Sequence, residues 1–387
     1  MVDSPDYPRL LATPPGHFFL LGLRGVGKST WTRSTFPHAH VVDLLDEGRY
    51  HALLADPAAF GREVAALPAG RTVVVDEIQR LPAVLNDVHR AIEARRQRFV
   101  LLGSSVRRLK TAGTNRLAGR ATLKTMSPLV PAELGADFDL DRTLRYGALP
   151  VVWRAPDPGA ALEAYVQLYL REEIKAEALV RNLPAFARFL PVAALFHGQT
   201  LNVSGLARDA ATSRTTVEGY LSILEDTLIA SRLPAFESRL RARERAHPKL
   251  FWVDAGVARA AKRHSGPVAV EERGPLFEGW VFMVLRAHNE ARPVFEDIWY
   301  WAPAEARITE VDFLLRRGRE YLALEVKTRT RIGTEDLAGL RAIAGLSRLV
   351  RRILLYLGAT RQRTEDGIDI WPLEVWLAAM ARDRLWP

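Results

Sequence analysis

Between residues 17 and 126 short apolar runs alternate with stretches of helical period. The runs are His17–Gly22, His40–Leu45, Thr72–Asp76, Phe99–Ser105 and Ala121–Met126; Ala83–Arg96 is one of the helical segments between them. Strand and helix in alternation predict an α/β fold with a parallel sheet covered on both faces. Residues 127 to about 200 read as mainly helical and rich in Ala and Leu. Residues 201–253 read as a small helix-turn-helix unit followed by a hairpin, and from 254 onward helices and strands mix again. Breaks are expected at Ser127–Pro131, near Pro191 and over Gly266–Gly274. The expected units are 1–126, 127–200, 201–253 and 254–387.

Within the third unit, Val203–Ala210 predicts a short helix, Ala211–Ser213 a turn and Arg214–Leu228 a second helix. Val217, Tyr220, Leu221, Leu224 and Leu228 repeat at helical spacing and predict its core face. Arg214, Thr215, Thr216 and Glu218 toward its start stay free, the geometry of a recognition helix offering its N-terminal residues to DNA. In the hairpin that follows, Ile229–Pro234 and Leu250–Val253 flank Arg239, Arg241, Arg243, Arg245 and Lys249; the arginines alternate and so share a strand face, a basic wing suited to phosphates. A packing or lid module is the competing reading, and Glu237 and Glu244 dilute the charge.

Composition narrows the classes. At 387 residues and 48% hydrophobic content the chain has material for two to three domains with sizeable cores. No apolar run approaches the ~18 residues of a membrane span, and the N-terminus lacks a basic segment followed by an apolar one. With no cysteine, disulfides, thiol catalysis and cysteine-type zinc sites are excluded. These features predict a cytoplasmic protein. The net charge is +9, but only seven of the 54 basic residues are lysine. A GC-rich genome explains an Arg excess of that kind, so only clustered charge counts toward nucleic acid. The nine histidines show no paired spacing of metal-ligand type, and the nine tryptophans read as core residues.

Gly22-Leu23-Arg24-Gly25-Val26-Gly27-Lys28-Ser29 matches G-x-x-x-x-G-K-[ST] in full, follows an apolar strand and opens a helix. Its glycines free the backbone N–H groups to curl around phosphates, and the helix N-terminus adds its dipole. Gly22, Gly25, Val26, Gly27, Lys28, Ser29 and Thr30 are the candidate nucleotide-binding residues. Lys28 is expected on the β and γ phosphates and Ser29 on Mg²⁺. About 50 residues later, Val73–Val75 run into Asp76 and Glu77. Asp76 suits Mg²⁺, and Glu77 suits polarising the attacking water. Ser104, at the tip of another strand, either senses the γ-phosphate or caps the next helix. Arg120, just before the fifth strand, either reaches a neighbouring subunit's nucleotide or is an ordinary surface arginine.

Near the C-terminus, strand alternation places Glu310 and Asp312 on one face of Ile308–Leu315, opposite Val311, Phe313 and Leu315. It places Glu325 and Lys327 on one face of Tyr321–Lys327, opposite Leu322, Leu324 and Val326. Paired as a hairpin, the two strands bring three acids and one lysine together. Asp312 and Glu325 then suit Mg²⁺, Lys327 a hydrolytic water or phosphate charge, and Glu278 a further ligand. A buried salt-bridge cluster without metal is the alternative.

In this order the elements resemble an AAA+ ATPase. More narrowly, the chain resembles the bacterial and archaeal AAA+ family with a C-terminal restriction-endonuclease-like, PD-(D/E)xK domain. The matching stretches are Leu20–Thr30, Val73–Pro82, Leu101–Ser105, Leu117–Arg120, Tyr146–Pro150, Leu201–Ile229, Lys249–Gly256, Phe277–Glu278 and Val311–Lys327. Asp312 with Glu325-Val326-Lys327 has the signature spacing, and Val311 stands where that pattern has Pro. The resemblance implies a P-loop sheet, a helical lid, a winged helix and a nuclease-like α/β domain. It implies ATP and Mg²⁺ as cofactors, self-assembly, with a hexameric ring one form of it, and DNA as partner. Three functions fit: an ATP-driven DNA motor or remodeller, a regulatory switch with a DNA-binding helix-turn-helix, and an ATP-gated repair or defence nuclease.

Overall fold

The computed structural model describes residues 7–94, 97–105, 119–170, 182–237, 247–303 and 309–387. Strands β1 (His17–Leu21), β2 (His40–Asp43), β3 (Thr72–Asp76), β4 (Arg98–Gly103) and β5 (Ala121–Thr125) form one sheet in the order β2-β3-β4-β1-β5. Every neighbouring pair is parallel. Helices Lys28–Thr35, Glu47–Ala55, Ala58–Ala66 and Leu85–Glu93 lie among these strands in the chain. The strands are apolar on both sides because both faces are covered. Phe18, Leu20, Val74, Val100 and Leu102 enter one core; Phe19, Leu21, Val73, Val75, Phe99 and Leu101 enter the other. With β4 between β1 and β3, the carboxyl ends of these three strands share one edge, where open α/β sheets bind ligands.

The first of those cores continues without a break into the next part of the chain. It takes in Phe186 and Phe189 of helix Leu183–Leu195, Leu206 of helix Val203–Asp209, Leu221 and Leu224 of helix Arg214–Asp226, and Val257 of helix Ala255–Ala261. The break expected near Pro191 does not occur, since Pro191 lies inside Leu183–Leu195. The helix Val270–Ala291 likewise begins within the Gly266–Gly274 stretch and runs through Gly274 and Pro275. Pro275 is its sixth residue, past the first turn, where proline removes an intrahelical hydrogen bond. Strands β6 (Gln199–Thr200), β7 (Ala230–Leu233) and β8 (Lys249–Trp252) form an antiparallel sheet in the order β6-β8-β7.

Strands β9 (Asp297–Trp301), β10 (Val311–Arg317), β11 (Glu320–Lys327), β12 (Leu349–Tyr356), β13 (Gln362–Arg363) and β14 (Asp369–Pro372) form a mixed sheet, ordered β13-β14-β12-β11-β10-β9. The expected β10–β11 hairpin is present, with Phe313 opposite Leu324. Strict alternation along its first strand fails, however. The β10–β9 register shifts between Val311 and Leu314, and Val311 faces a different core from Phe313 and Leu315. A bulge of this kind re-aims side chains.

Beyond β7 the chain pairs with β9: the Phe236 N–H donates to the Tyr300 carbonyl at 2.7 Å, and the Tyr300 N–H to the Pro234 carbonyl at 3.1 Å. The small antiparallel sheet is thereby joined to the C-terminal one. Among the described residues no helix is long and apolar enough to cross a membrane.

His197 is wedged at this junction. Its Nδ1 accepts from the Trp252 N–H at 3.1 Å, and a Cβ on Gly279 would lie 2.3 Å from its Nε2. Burial, helped by Lys262, lowers its pKa to about 3. The folded protein therefore binds one proton fewer than the unfolded chain between that value and ~6.5, and stability falls as pH drops through the window. At ~1.4 kcal/mol per pH unit, the loss from this residue is ~2 kcal/mol between pH 6.5 and 5. Urea titrations should show His197→Gln with a flatter acid limb than wild type. Parallel limbs would refute the assignment.

Candidate functional site

The loop Gly22–Ser29 leaves β1 and closes at the helix Lys28–Thr35, as the motif requires. Gly25 and Gly27 have φ of 76° and 98°, a region open to glycine. The Gly25 position is also crowded: a Cβ there would meet Val151 Cγ1 at 2.8 Å. Gly27 precedes the helix, and no side chain caps that end. The backbone is thus shaped for an acidic ligand that caps the helix. Lys28 is buried and donates to the carbonyls of Gly22 at 2.7 Å and Leu23 at 3.1 Å, closing the loop upon itself.

Ser29 Oγ donates to Asp76 Oδ2 at 2.6 Å. These are the hydroxyl and carboxylate expected to share Mg²⁺, and β1 and β3 have brought them together across 47 residues of chain. A hydroxyl, a carboxylate and space beside an open loop suit a hard, oxygen-seeking cation. Glu77 is buried at the next position, with φ 56°. For a non-glycine residue that conformation is uncommon and tends to occur at functional sites.

Gln79 was not singled out from the sequence. Its Nε2 donates to Glu77 Oε2 and, at 2.8 Å, to Ser104 Oγ. One buried amide therefore joins the carboxylate after β3 to the hydroxyl after β4. The signal in the sequence is only a Gln two residues beyond an acid, which by itself is uninformative. The Val26 carbonyl accepts from Arg9 at 2.8 Å. Thr30, Gly27, Trp31, Ser34, Tyr7, Pro150 and Arg154 line a cavity of about 260 Å³ beside the loop. Arg120 is ion-paired with Glu93, with both side chains exposed.

A second link joins the loop to the rest of the chain. Asp254 caps helix Ala255–Ala261 by accepting from the Val257 N–H at 3.0 Å, and accepts from the Ala148 N–H at 2.7 Å. A Cβ on Gly256 would stand 2.2 Å from the Tyr146 carbonyl oxygen, so only glycine allows this approach. The segments Tyr146–Pro150 and Lys249–Gly256 are thus pressed together, and Pro150 also borders Gly27.

At the C-terminal site Glu310, Asp312, Glu325 and Lys327 of the two strands lie with Glu278 of helix Val270–Ala291, and a sixth residue joins them. Lys249 Nζ, from β8, lies 2.8 Å from Glu278 Oε1, 3.2 Å from Glu310 Oε1 and 3.5 Å from Asp312 Oδ1. Asp312 Oδ2 accepts from the Val326 N–H at 2.8 Å, extending the β10–β11 ladder past its last backbone pair. Lys327 pairs with Glu325 Oε1, while Glu325 Oε2 is buried without a hydrogen-bond partner.

Burial alone would drive the Lys249 ammonium to a lower pKa, but Glu278, Asp312 and Glu310 outweigh it and hold the proton well above the ordinary lysine range. Burial pushes the Glu278 carboxyl up to about 8 against the pull of Lys249. Burial and the neighbouring Asp312 carry Glu325 well above the carboxylate range, against Lys327. Among the described residues no three His, Asp or Glu side chains are arranged to hold a metal ion.

Of the candidate DNA contacts, Arg214 and Thr215 are exposed at the start of helix Arg214–Asp226. Thr216 is partly covered; its N–H donates to the capping Ser213 Oγ at 3.1 Å. Arg239, Arg241, Arg243 and Arg245 lie outside the described residues.

Comparison with known proteins agrees with the first of these sites. Residues 15–135 match the family described as AAA domain, residues 137–267 the domain of unknown function DUF8612, and residues 273–376 the domain of unknown function DUF4143. The N-terminal part of the chain is thus similar to AAA domains, a likeness that supports a P-loop ATPase. Uncharacterized proteins Mb2031c of Mycobacterium bovis and Rv2008c of Mycobacterium tuberculosis are each 27% identical over 377 residues, covering 95% of this chain and 82% of theirs. The Aeropyrum pernix ORC1 protein, solved in complex with DNA, is 14% identical with a TM-score of 0.27, over 65% of this chain and 87% of its own. A likeness that loose carries no argument.

Proposed function

We propose that this chain is a Mg²⁺-dependent ATPase that works on DNA as a homo-oligomer, a motor or remodeller. The observation that carries the ATPase reading is the convergence of Lys28, Ser29, Asp76, Glu77 and Ser104 at one edge of the sheet, beside a loop shaped for phosphate. Lys28 exchanges the Gly22 and Leu23 carbonyls for β- and γ-phosphate oxygens. Ser29 and Asp76 would hold Mg²⁺, which when bound neutralises charge on the phosphates. Glu77 orients the attacking water, and Gln79 fixes its distance from Ser104, the candidate γ-phosphate contact. The cavity lined by Trp31, Pro150 and Arg154 takes the base. Arg120, on the surface before β5, is the candidate to reach a neighbour's nucleotide.

Arg214, Thr215 and Thr216, with the arginines at 239, 241, 243 and 245, are the proposed DNA contacts. The exposed start of helix Arg214–Asp226 supports this reading. A metal-dependent cut at Asp312 and Glu325, assisted by Glu278 and Lys327, is a second reading. The unpartnered Glu325 Oε2 supports it, and the Lys249 ammonium among the other acids weighs against it.

ATP hydrolysis should rise in the presence of at least one of single-stranded, duplex and branched DNA. The stimulation should fade steeply with added salt, because phosphate contacts release counterions. A rate indifferent to every DNA form would leave a nucleotide-controlled switch in place of the motor.

A further inference from the structure

We propose that Lys249 is the resident cation of the C-terminal acid cluster: its ammonium occupies the place among Glu278, Glu310 and Asp312 that a divalent metal ion would take, and closes the cluster to metal. This stands apart from the ATPase reading and bears directly on whether the cluster cuts DNA.

The geometry is that of a filled site. An ammonium has three donors and no acceptor, and here three carboxylates, one from helix Val270–Ala291 and two from β10 and the residue before it, surround it at 2.8, 3.2 and 3.5 Å. The Tyr300 ring lies 5.4 Å from Nζ, and the side chain is only 3% exposed. An isolated group of buried carboxylates is costly, and each must be protonated or paired with a cation. The chain itself supplies that cation.

Backbone pairing holds the lysine in place. In β8, Lys249 sits opposite Leu233 of β7 on one side and Thr200 of β6 on the other. The continuation of β7 is bound to β9 through Pro234, Phe236 and Tyr300. The backbone that carries the ammonium is therefore fixed at the junction of the two sheets.

Residue choice points the same way. Only seven of the 54 basic residues are lysine, yet both cations in this cluster, Lys249 and Lys327, are lysines. A compact point charge fits between carboxylates where a planar guanidinium fork does not. With both lysines in place the remaining ligand capacity is small. Asp312 Oδ1 faces Lys249, its Oδ2 is used by the Val326 N–H, and Glu325 Oε1 is used by Lys327. Removing the Lys249 ammonium would leave Glu278, Glu310 and Asp312 open, with the buried Glu325 Oε2 as a further acceptor.

The test is Mn²⁺ titration of the full chain without nucleotide, read by calorimetry and by the electron paramagnetic resonance of free Mn²⁺. Wild type should show no site that depends on Asp312, so its titration and that of Asp312→Asn should coincide. Lys249→Met, similar in length and uncharged, should gain about one Mn²⁺ per chain, and Lys249→Met combined with Asp312→Asn should lose it. Wild-type uptake abolished by Asp312→Asn would overturn the proposal. So would a folded Lys249→Met, judged by circular dichroism, that gains no Mn²⁺. If Lys249→Met does not fold, the wild-type and Asp312→Asn comparison decides alone.

Discussion

Lys28→Ala should lose ATP binding. The ammonium is replaced by a methyl group at the buried cation of the phosphate loop. With two charge-assisted hydrogen bonds at ~1.5–3 kcal/mol each, affinity should fall by ~10²–10⁴-fold. Calorimetry with ATP and Mg²⁺ measures this directly. The substitution also strips the Gly22 and Leu23 carbonyls of their partner. Circular dichroism and thermal unfolding must therefore show the variant folded before the loss is read as a binding effect. A folded variant with wild-type affinity would remove the nucleotide site from this loop and with it the proposed function.

Glu77→Gln should separate binding from turnover. The amide has nearly the shape of the carboxylate and keeps an oxygen for the Gln79 Nε2 donor, so the network to Ser104 can persist. It cannot accept a proton from water at neutral pH. Positioned acid–base groups contribute ~10²–10⁴-fold to rate, and kcat should fall in that range while ATP affinity stays near wild type. The variant should accumulate as the ATP-bound form. A kcat equal to wild type would move the water-positioning role elsewhere in the site. A joint loss of affinity and kcat would instead assign Glu77 to holding the loop, a role consistent with its left-handed backbone.

The two sites differed in how far they could be read from the chain. The phosphate loop is a local object: eight consecutive residues set a turn, a helix start and a charge. The acids after Thr72–Val75 are equally local, and buried strands flank both. Their meeting still needed the sheet order, since Ser29 reaches Asp76 only because β1 and β3 end on the same edge. Gln79 carries no sequence signal because its role depends on Ser104, 25 residues away, just past the end of β4. At the C-terminus, alternation along two strands correctly assembled the acids with Lys327. It misplaced Val311, because a bulge breaks the period of two and leaves no mark in the residue pattern.

What the chain by itself determined is the set of pieces that short-range geometry controls: the phosphate loop and its helix, the apolar strands, the spacing of the acids. What only the tertiary structure decided is which pieces share a site. Lys249 is 29 residues from Glu278 and 63 from Asp312. It lies in a strand whose own pattern gives no reason to expect a buried charge. Electrostatics acts through space, over a few ångströms, so a cation that answers three carboxylates becomes visible only once the backbone has brought them within reach.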